Sequence, residues 1–369
     1  MIPPQLASAR LTVNLGALAR NWRRLDAMTG PSETAAVVKA NAYGLGIEQA
    51  TPALWQAGCR TFFVAQANEG QRVLAGLPEA DVFVLNGLMP GAAADYAEAG
   101  LMPVLNTMPQ VIEWTTEGRR RGQALPCAVH IDTGMTRLGL LGADVEAIAA
   151  DPRLLEGADV QVWLTHPACA DQPGHALNDE QLALFRDRLA ILPKARSSAA
   201  NSPAIFLGPE WHFDLCRPGV ALYGSTPSPL AELPMEEVIR LDARILQIHE
   251  VERWRNVGYG ATQTVEQGSR IATCGVGYAD GYIRSLSNVG YGVLAGRRVP
   301  LVGRVSMDLI TFDISAVPPG DIGPDSEIAI IGGGVDLDEL AALGGTIAYE
   351  LLTGLGDRFT RAYVDGAGA

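Results

Sequence analysis

Residues 35–65 read AAVVKANAYGLGIEQATPALWQAGCRTFFVA and hold one complete strand–helix–strand repeat. Two short apolar runs, Ala35–Val38 and Thr61–Ala65, flank a longer segment of mixed character. Neither run alternates polar with apolar residues, so each is expected to be buried on both faces, as parallel strands are. The spacing recurs downstream, with further runs at Asp81–Leu85, Leu101–Leu105, Cys127–Asp132, Val160–Thr165, Arg196–Ala200 and Leu215–Tyr223. Eight strands at intervals of roughly 20–35 residues are what repeated βα units produce. The connecting segments read as helices. In DEQLALFRDRLAIL (179–192), Leu182, Phe185, Leu189 and Leu192 fall at three- and four-residue steps, and Asn178 or Asp179 could cap the start. The expected fold class is therefore α/β, with a closed (β/α)8 TIM-like barrel. An open doubly wound sheet is the alternative, but AYGLG (42–46) is not the GxGxxG of a dinucleotide fold.

Beyond about residue 230 the pattern changes. Pro227, Pro229 and Pro234 punctuate a linker, and segments such as ARILQIHEVER, RIATCGVGYADG, VPLVGRVSMDLITFDIS and SEIAIIGG read as strands between Gly, Pro and Asp turns. The expected division is a barrel over residues 1–230 and a mostly β C-terminal domain over 231–369. LTVNL (11–15) alternates like a strand before the barrel repeat begins and is a candidate member of the β domain.

Composition narrows the classes. The chain has 369 residues, 28 Lys plus Arg against 41 Asp plus Glu, and a net charge of −13. Only Lys39 and Lys194 are lysines, which composition bias alone would explain. Scattered arginines on an acidic chain argue against a nucleic-acid surface, and Arg119-Arg120-Arg121 reads as a solvated helix end. No run approaches the roughly 18–20 apolar residues of a membrane helix. MIPPQLASARLTVNL lacks the charged-then-apolar pattern of a signal peptide. Five widely spaced cysteines read as free thiols in a reducing compartment, so a cytoplasmic location is expected. The five histidines show no metal-ligand spacing.

In a parallel barrel, function gathers where the strands end. Lys39 sits at the first such end, inside otherwise apolar surroundings. Taken alone it is either a snorkelling rim lysine or a desolvated Schiff-base former. The fifth run leads into HIDTGMTRLG (130–139), the sixth ends in Thr165-His166, the seventh in Ala200-Asn201-Ser202, and the eighth contains CRPGVALYG (216–224). Small donors and backbone amides after the last two strands suit a phosphate. A Schiff-base lysine beside a phosphate site implies pyridoxal phosphate.

VVKANAYGLG (37–46), DTGMTRLG (132–139), the Asn201-Ser202 pair, the RPG segment (217–219), VGYGAT (257–262), VGYADG (276–281) and GRVSMD (303–308) stand in an order and at spacings that resemble the alanine racemases. The resemblance spans essentially the whole chain. It implies that Lys39 carries the cofactor covalently and is one catalytic base, and that Tyr259 is the other, on the opposite face and from the partner of an obligate homodimer. Arg217 would hydrogen-bond the pyridine nitrogen. Tyr43, Asn201, Ser202, Gly219 and Val220 would hold the phosphate, and His166 would lie near the ring. Arg137, Met307, Asp308 and Tyr278 would face the substrate, no metal being involved. Without the resemblance Met307 reads as core, His166 as a rim histidine and Asp308 as a turn residue.

The implied activity is interconversion of L- and D-alanine, supplying D-alanine for peptidoglycan or consuming it. The alternatives are a racemase of another small amino acid such as serine, a related barrel-type amino-acid decarboxylase, and a non-catalytic pyridoxal-phosphate carrier. The carrier resembles the barrel alone, so the additional C-terminal residues speak against it. Two positions depart from the family. Many members have a carbamylated lysine where this chain has His130, so Arg137 must be held another way, by an anion such as chloride or by another acidic side chain. A tyrosine that reaches the phosphate is replaced by Asp357, which implies a wider entrance.

Overall fold

The structure is a computed structural model and describes residues 4–365. A strand, β1 (Ala9–Asn14), runs directly into the helix Leu15–Thr29, whose N-terminus is capped by the Asn14 side chain accepting from the Ala17 N–H at 2.9 Å. The barrel strands follow. They are β2 (Glu33–Thr34), β3 (Ala36–Val37), β4 (Thr61–Val64), β5 (Asp81–Val84), β6 (Met102–Leu105), β7 (Leu125–His130), β8 (Ala158–Leu164), β9 (Arg196–Ser198) and β10 (Leu215–Cys216). β3 to β9 form one parallel sheet in chain order, and β10 pairs parallel with β2.

Backbone bonds close the ring. The Asp214 and Arg217 N–H groups donate to the carbonyls of Ser197 and Ala200, at 3.0 and 2.8 Å. On the other side, the Ala35 and Val37 N–H groups donate to Cys216 and Pro218, both at 2.9 Å. β2 and β3 are thus two halves of one strand, and the eight expected runs make an eight-membered barrel. The strands are apolar on both faces: Phe62, Phe63, Phe83, Val104 and Val129 are fully buried, with Phe63 and Phe83 stacked at 5.0 Å.

Two local expectations are corrected. The eighth run, Leu215–Tyr223, is a strand only through Cys216. Pro218 cannot donate to a ladder, and Val220–Tyr223 bury themselves as a 3-10 turn instead. The helix expected over 179–192 spans Ala176–Ile191, and its cap is His175, whose Nδ1 accepts the Leu177 N–H at 3.2 Å. Asn178 is buried and donates to the carbonyls of Cys169 and Gln172.

The remaining strands are β11 (Ile239–Glu250), β12 (Arg255–Val257), β13 (Gln263–Val265), β14 (Arg270–Cys274), β15 (Tyr291–Leu294), β16 (Arg297–Pro300), β17 (Ile310–Asp313), β18 (Glu327–Ile331) and β19 (Thr360–Val364). β11 pairs antiparallel with β1, β14 and β18, and β1 pairs parallel with β19. The LTVNL segment is therefore an inner strand of the C-terminal sheet, although it is the first strand in the chain. Its alternating residues do form a strand, but the polar positions Thr12 and Asn14 are buried along with Leu11 and Val13. Arg120 and Arg121 end the helix Met108–Arg121 and pair with Glu117. All five cysteines are free. Among the described residues no helix is long and apolar enough to cross a membrane.

Candidate active site

Lys39 stands directly beyond β3, at the C-terminal rim. The four residues after it form a left-handed turn: Ala40, Asn41, Ala42 and Tyr43 have φ of 52°, 58°, 53° and 53°. Such a conformation costs about 1–2 kcal/mol per residue for L-residues, so tertiary contacts must hold it. One Glu69 carboxylate oxygen accepts the Ala40 N–H at 2.6 Å, and the other accepts from Ala65 and Gln66. Asn41 Oδ1 accepts the Ile47 N–H and a bond from Arg72. The turn leaves Lys39 half-buried. Burial first, and the Arg137 guanidinium second, hold its ammonium below the usual lysine range, while Glu69 pulls the other way.

Arg217 lies beyond β10 and is 3% exposed. Its Nη1 donates to Ser198 Oγ, and its Nη2 to the carbonyls of Thr165, at 2.6 Å, and Ala199, at 3.4 Å. Burial lowers its pKa to about 10, so it remains a cation at neutral pH. Nε–H has no hydrogen-bond partner among the described residues. Next to it, Ser202 Oγ accepts the N–H groups of Gly219 and Ala221, at 2.8 and 3.3 Å, and Asn201 caps the short helix that Ser202 begins. Tyr43 stacks on Tyr223 at 4.5 Å and leans on Tyr349 at 5.9 Å. Burial pushes the Tyr43 phenol up, so it is a neutral donor.

Gly219 is required at this point, because a Cβ there would collide with Tyr43 Oη. Gly219→Ala is expected to force Tyr43 aside at a cost of about 1–3 kcal/mol, the usual range for overpacking. Thermal unfolding and titration with pyridoxal phosphate would measure it. Unchanged values for both would remove this contact from the cradle.

Two imidazoles share the rim. His166 follows β8, and burial, then Arg217, Arg137, His130 and Lys39, keep it well below the usual histidine range. His130 ends β7, bonds Asn106, and is lowered to about 4, chiefly by burial. Arg137 is exposed on the loop between them. Among the described residues it has no hydrogen bond or ion pair, so no acidic side chain of its own chain holds it. Beside His166 and Asn201 opens a cavity of about 710 Å³, walled by Asp171, Pro229, Asp338 and Tyr349.

Tyr259, Tyr278, Met307 and Asp308 lie on the C-terminal domain and form a second cluster. Gly277 packs so closely on the 306–307 backbone that a Cβ would strike the Met307 carbonyl. The Tyr278 and Ala279 N–H groups donate to Ser306 and Met307, and Gly260 abuts Arg304. Arg358 ties the cluster down, with two bonds to buried Asp280 and one, at 2.8 Å, to Asp308. Tyr259 is 72% exposed and Met307 52%. Among the described residues no hydrogen bond, ion pair or ring contact links this cluster to Lys39 or Arg217. One chain therefore brings the lysine, arginine and phosphate-type groups together and leaves Tyr259 and Met307 facing outward. Glu69, Asn106, Ser198 and Tyr349 were not among the sequence candidates. Glu69 and Asn106 follow strand ends and were open to the same inspection that found Lys39.

Residues 13–227 match the family described as alanine racemase, N-terminal domain, and residues 238–363 the alanine racemase, C-terminal domain. An alanine racemase of Rhodospirillum rubrum is 49% identical over 359 residues, covering 97% of this chain and 96% of the relative. A catabolic alanine racemase of Agrobacterium fabrum is 45% identical over 359 residues, covering 97% and 92%. The crystal structure of alanine racemase from Bartonella henselae with covalently bound pyridoxal phosphate superposes with a TM-score of 0.92 at 38% identity, covering 97% of this chain and all (100%) of that one.

Proposed function

The chain belongs to the alanine racemase family, and we propose that it interconverts L- and D-alanine with pyridoxal phosphate, using Lys39 and the Tyr259 of a partner subunit as its two bases. The observation that carries this reading is the half-buried Lys39 at the mouth of the barrel, with a depressed pKa, on the rim that also carries the buried Arg217.

The residues suit the cofactor. Lys39 is the only one of the two lysines that is half-buried, Arg217 has an Nε–H without a hydrogen-bond partner among the described residues, and Gly219 lets the Tyr43 hydroxyl lie closer to the backbone than a Cβ would allow. Ser202, Tyr43, Asn201 and the backbone at Gly219 and Val220 would hold the phosphate. His166 would lie against the ring. When bound, pyridoxal phosphate supplies a sink for the electron pair left when the substrate α-proton departs. Arg217 keeps its protons, so it would give the ring nitrogen a hydrogen bond and not a proton. That would limit how far the electron pair spreads and disfavour side reactions such as transamination.

Inversion needs proton removal at one face and delivery at the other. The lowered pKa gives Lys39 a larger neutral fraction at physiological pH, as a base requires. Arg137 and the Met307 N–H would take the substrate carboxylate, with Asp308 and Tyr278 shaping the entrance. The partner is a second copy. Leu246, Ile248, Trp254, Tyr259, Met307 and Leu309 are all exposed on the C-terminal domain, apolar surface that a second copy would cover. We place the domain boundary at 230/231, with β1 crossing into the second domain. We place the enzyme in the cytoplasm, supplying D-alanine for peptidoglycan or consuming it.

The direct test is purified, cofactor-loaded protein given L-alanine, with chiral separation of the product. D-alanine without carbon dioxide is expected; carbon dioxide release would favour the decarboxylase. Substrate breadth is a separate prediction. Asp357 is exposed and has no hydrogen bond or ion pair among the described residues. A carboxylate there should not approach a phosphate dianion. Racemisation of 2-aminobutyrate and serine is expected within about ten-fold of alanine, one methylene being worth roughly 1–3 kcal/mol in a fitted pocket. Asp357→Tyr should widen that gap. Strict alanine selectivity in the unmodified enzyme would defeat the idea.

A further inference from the structure

The left-handed turn that follows Lys39 is held at both ends, and by different parts of the chain. Its entrance is tied to the barrel, where Glu69 accepts the Ala40 N–H at 2.6 Å. Its exit is tied to β19 of the C-terminal domain. Arg361 Nη1 donates to the Gly44 carbonyl at 2.6 Å, and the Tyr363 hydroxyl donates to the Leu45 carbonyl at 2.9 Å. The two residues are two apart on one strand, so their side chains leave the same face of it. The roles above assign neither of them anything.

The exit is closely packed. Gly44, at φ 83°, lies so near the helix Ala348–Thr353 that a Cβ would strike the Leu352 carbonyl. A Cβ on Gly46, at φ 108°, would strike the Tyr363 hydroxyl. Arg361 Nη2 donates to the Gly356 carbonyl at 2.8 Å, so one guanidinium joins the turn exit to the chain beyond that helix. β19 is itself fixed. It pairs parallel with β1, Leu11 opposite Arg361 and Val13 opposite Tyr363, and β1 runs directly into the first helix of the barrel.

The turn needs such a hold from outside. Ala40–Tyr43 occupy a conformation that L-residues avoid. Inside the turn, the Ala42 N–H donates to Val38 at 2.9 Å, the Gly44 N–H to Ala40 at 2.7 Å and the Gly46 N–H to Asn41 at 2.9 Å. One turn of helix does not support itself in isolation. The Gly44 and Leu45 carbonyls take their bonds from β19, so the strand closes the end of the turn opposite Lys39.

We propose that Arg361 and Tyr363 are positioning residues: from the C-terminal domain of the same chain they clamp the exit of the left-handed turn and so set the direction in which Lys39 presents its amine. The C-terminal domain thus serves two sites, the partner's through Tyr259 and its own through this clamp. The inference rests on the reading of Lys39 as the cofactor lysine.

Hydrogen exchange of the cofactor-loaded enzyme, followed in the peptide spanning residues 38–47, reads the turn itself. Tyr363→Phe removes one hydroxyl and is expected to speed exchange of the slow amides there by about two- to ten-fold, the usual contribution of one hydrogen bond. Arg361→Met removes two bonds and should speed it further. In the double variant kcat is expected to fall about ten-fold, within the range that a displaced catalytic group costs. KM for alanine should change less, because the groups that would take the substrate carboxylate lie on other segments. Arg20→Met is the control. It cuts a bidentate contact from the first helix to Glu236 and leaves the turn alone, so exchange in 38–47 and kcat should both match the wild type. Unchanged exchange in the variants of the clamp, faster exchange with unchanged kcat, or an equal effect of Arg20→Met overturns the proposal. If the Arg361 variants do not fold, Tyr363→Phe alone decides, by exchange and kcat together. Borohydride labelling separates the two failures. A label away from Lys39 removes the reading of that lysine; a label on Lys39 with kcat unchanged in the variants removes only the clamp.

Discussion

Lys39→Arg is expected to lower racemisation by at least about 10³-fold, the scale of losing a positioned acid–base group, and to abolish the visible absorbance of bound pyridoxal phosphate. The substitution keeps a cation of similar length at the rim, so the left-handed turn and its Glu69 contacts have reason to persist. It removes the one property arginine cannot supply, a nitrogen that can lose its proton and bond covalently to an aldehyde. The chain makes this test unusually clean. Lys194 is the only other lysine, it is exposed, and it precedes β9. Lys39 follows β3. In a parallel barrel these are opposite rims, so Lys194 cannot replace Lys39 without unfolding the ring. Borohydride reduction of the loaded wild type followed by peptide mapping should place the label on Lys39 alone. Thermal unfolding of the variant should stay within a few degrees, less than the shift of about 1 kcal/mol in a domain this size. A label on Lys194, or retained turnover in Lys39→Arg, would remove Lys39 from the mechanism.

The barrel was legible because its strands are buried on both faces and so read as apolar runs at regular intervals. The rule failed where burial and strand part company. Val220–Tyr223 are as apolar as any strand, but Pro218 stops the ladder and they bury as a 3-10 turn. The left-handed turn at Ala40–Tyr43 was not legible at all. Alanine and tyrosine have no preference for that conformation, and Glu69, which holds the turn, lies on the next strand–helix unit. Local sequence cannot report a strain that a distant carboxylate offsets. Asn106 shows a different limit: its position after a strand was visible, but its meaning lies in two carbonyls and an imidazole brought together from three strand ends. Tyr259 and Met307 have no local signature of chemistry. Only the family resemblance pointed to them, and their exposure gives that reading its physical content.

The exposure of Tyr259 leads to the second large effect. Tyr259→Phe is expected to lower the L-to-D rate by about 10²–10⁴-fold, since it removes one of two positioned proton carriers. Bound-cofactor absorbance should remain, because Lys39 is untouched. In deuterium oxide, one alanine enantiomer should still exchange its α-hydrogen without inverting, through Lys39 alone. A mixture of variants tests the composite site. If each site takes Lys39 from one subunit and Tyr259 from the other, a mixed dimer of Lys39→Ala and Tyr259→Phe chains holds one intact site and one doubly defective site. Equal amounts, dissociated and reassembled, give half mixed dimers, so activity should return to about one quarter of wild type. If one chain supplied both bases, every site would lack one of them and no activity would return. A rate near zero after verified subunit exchange would therefore place Tyr259 in its own subunit's site and refute the outward-facing cluster as the second half of the active centre.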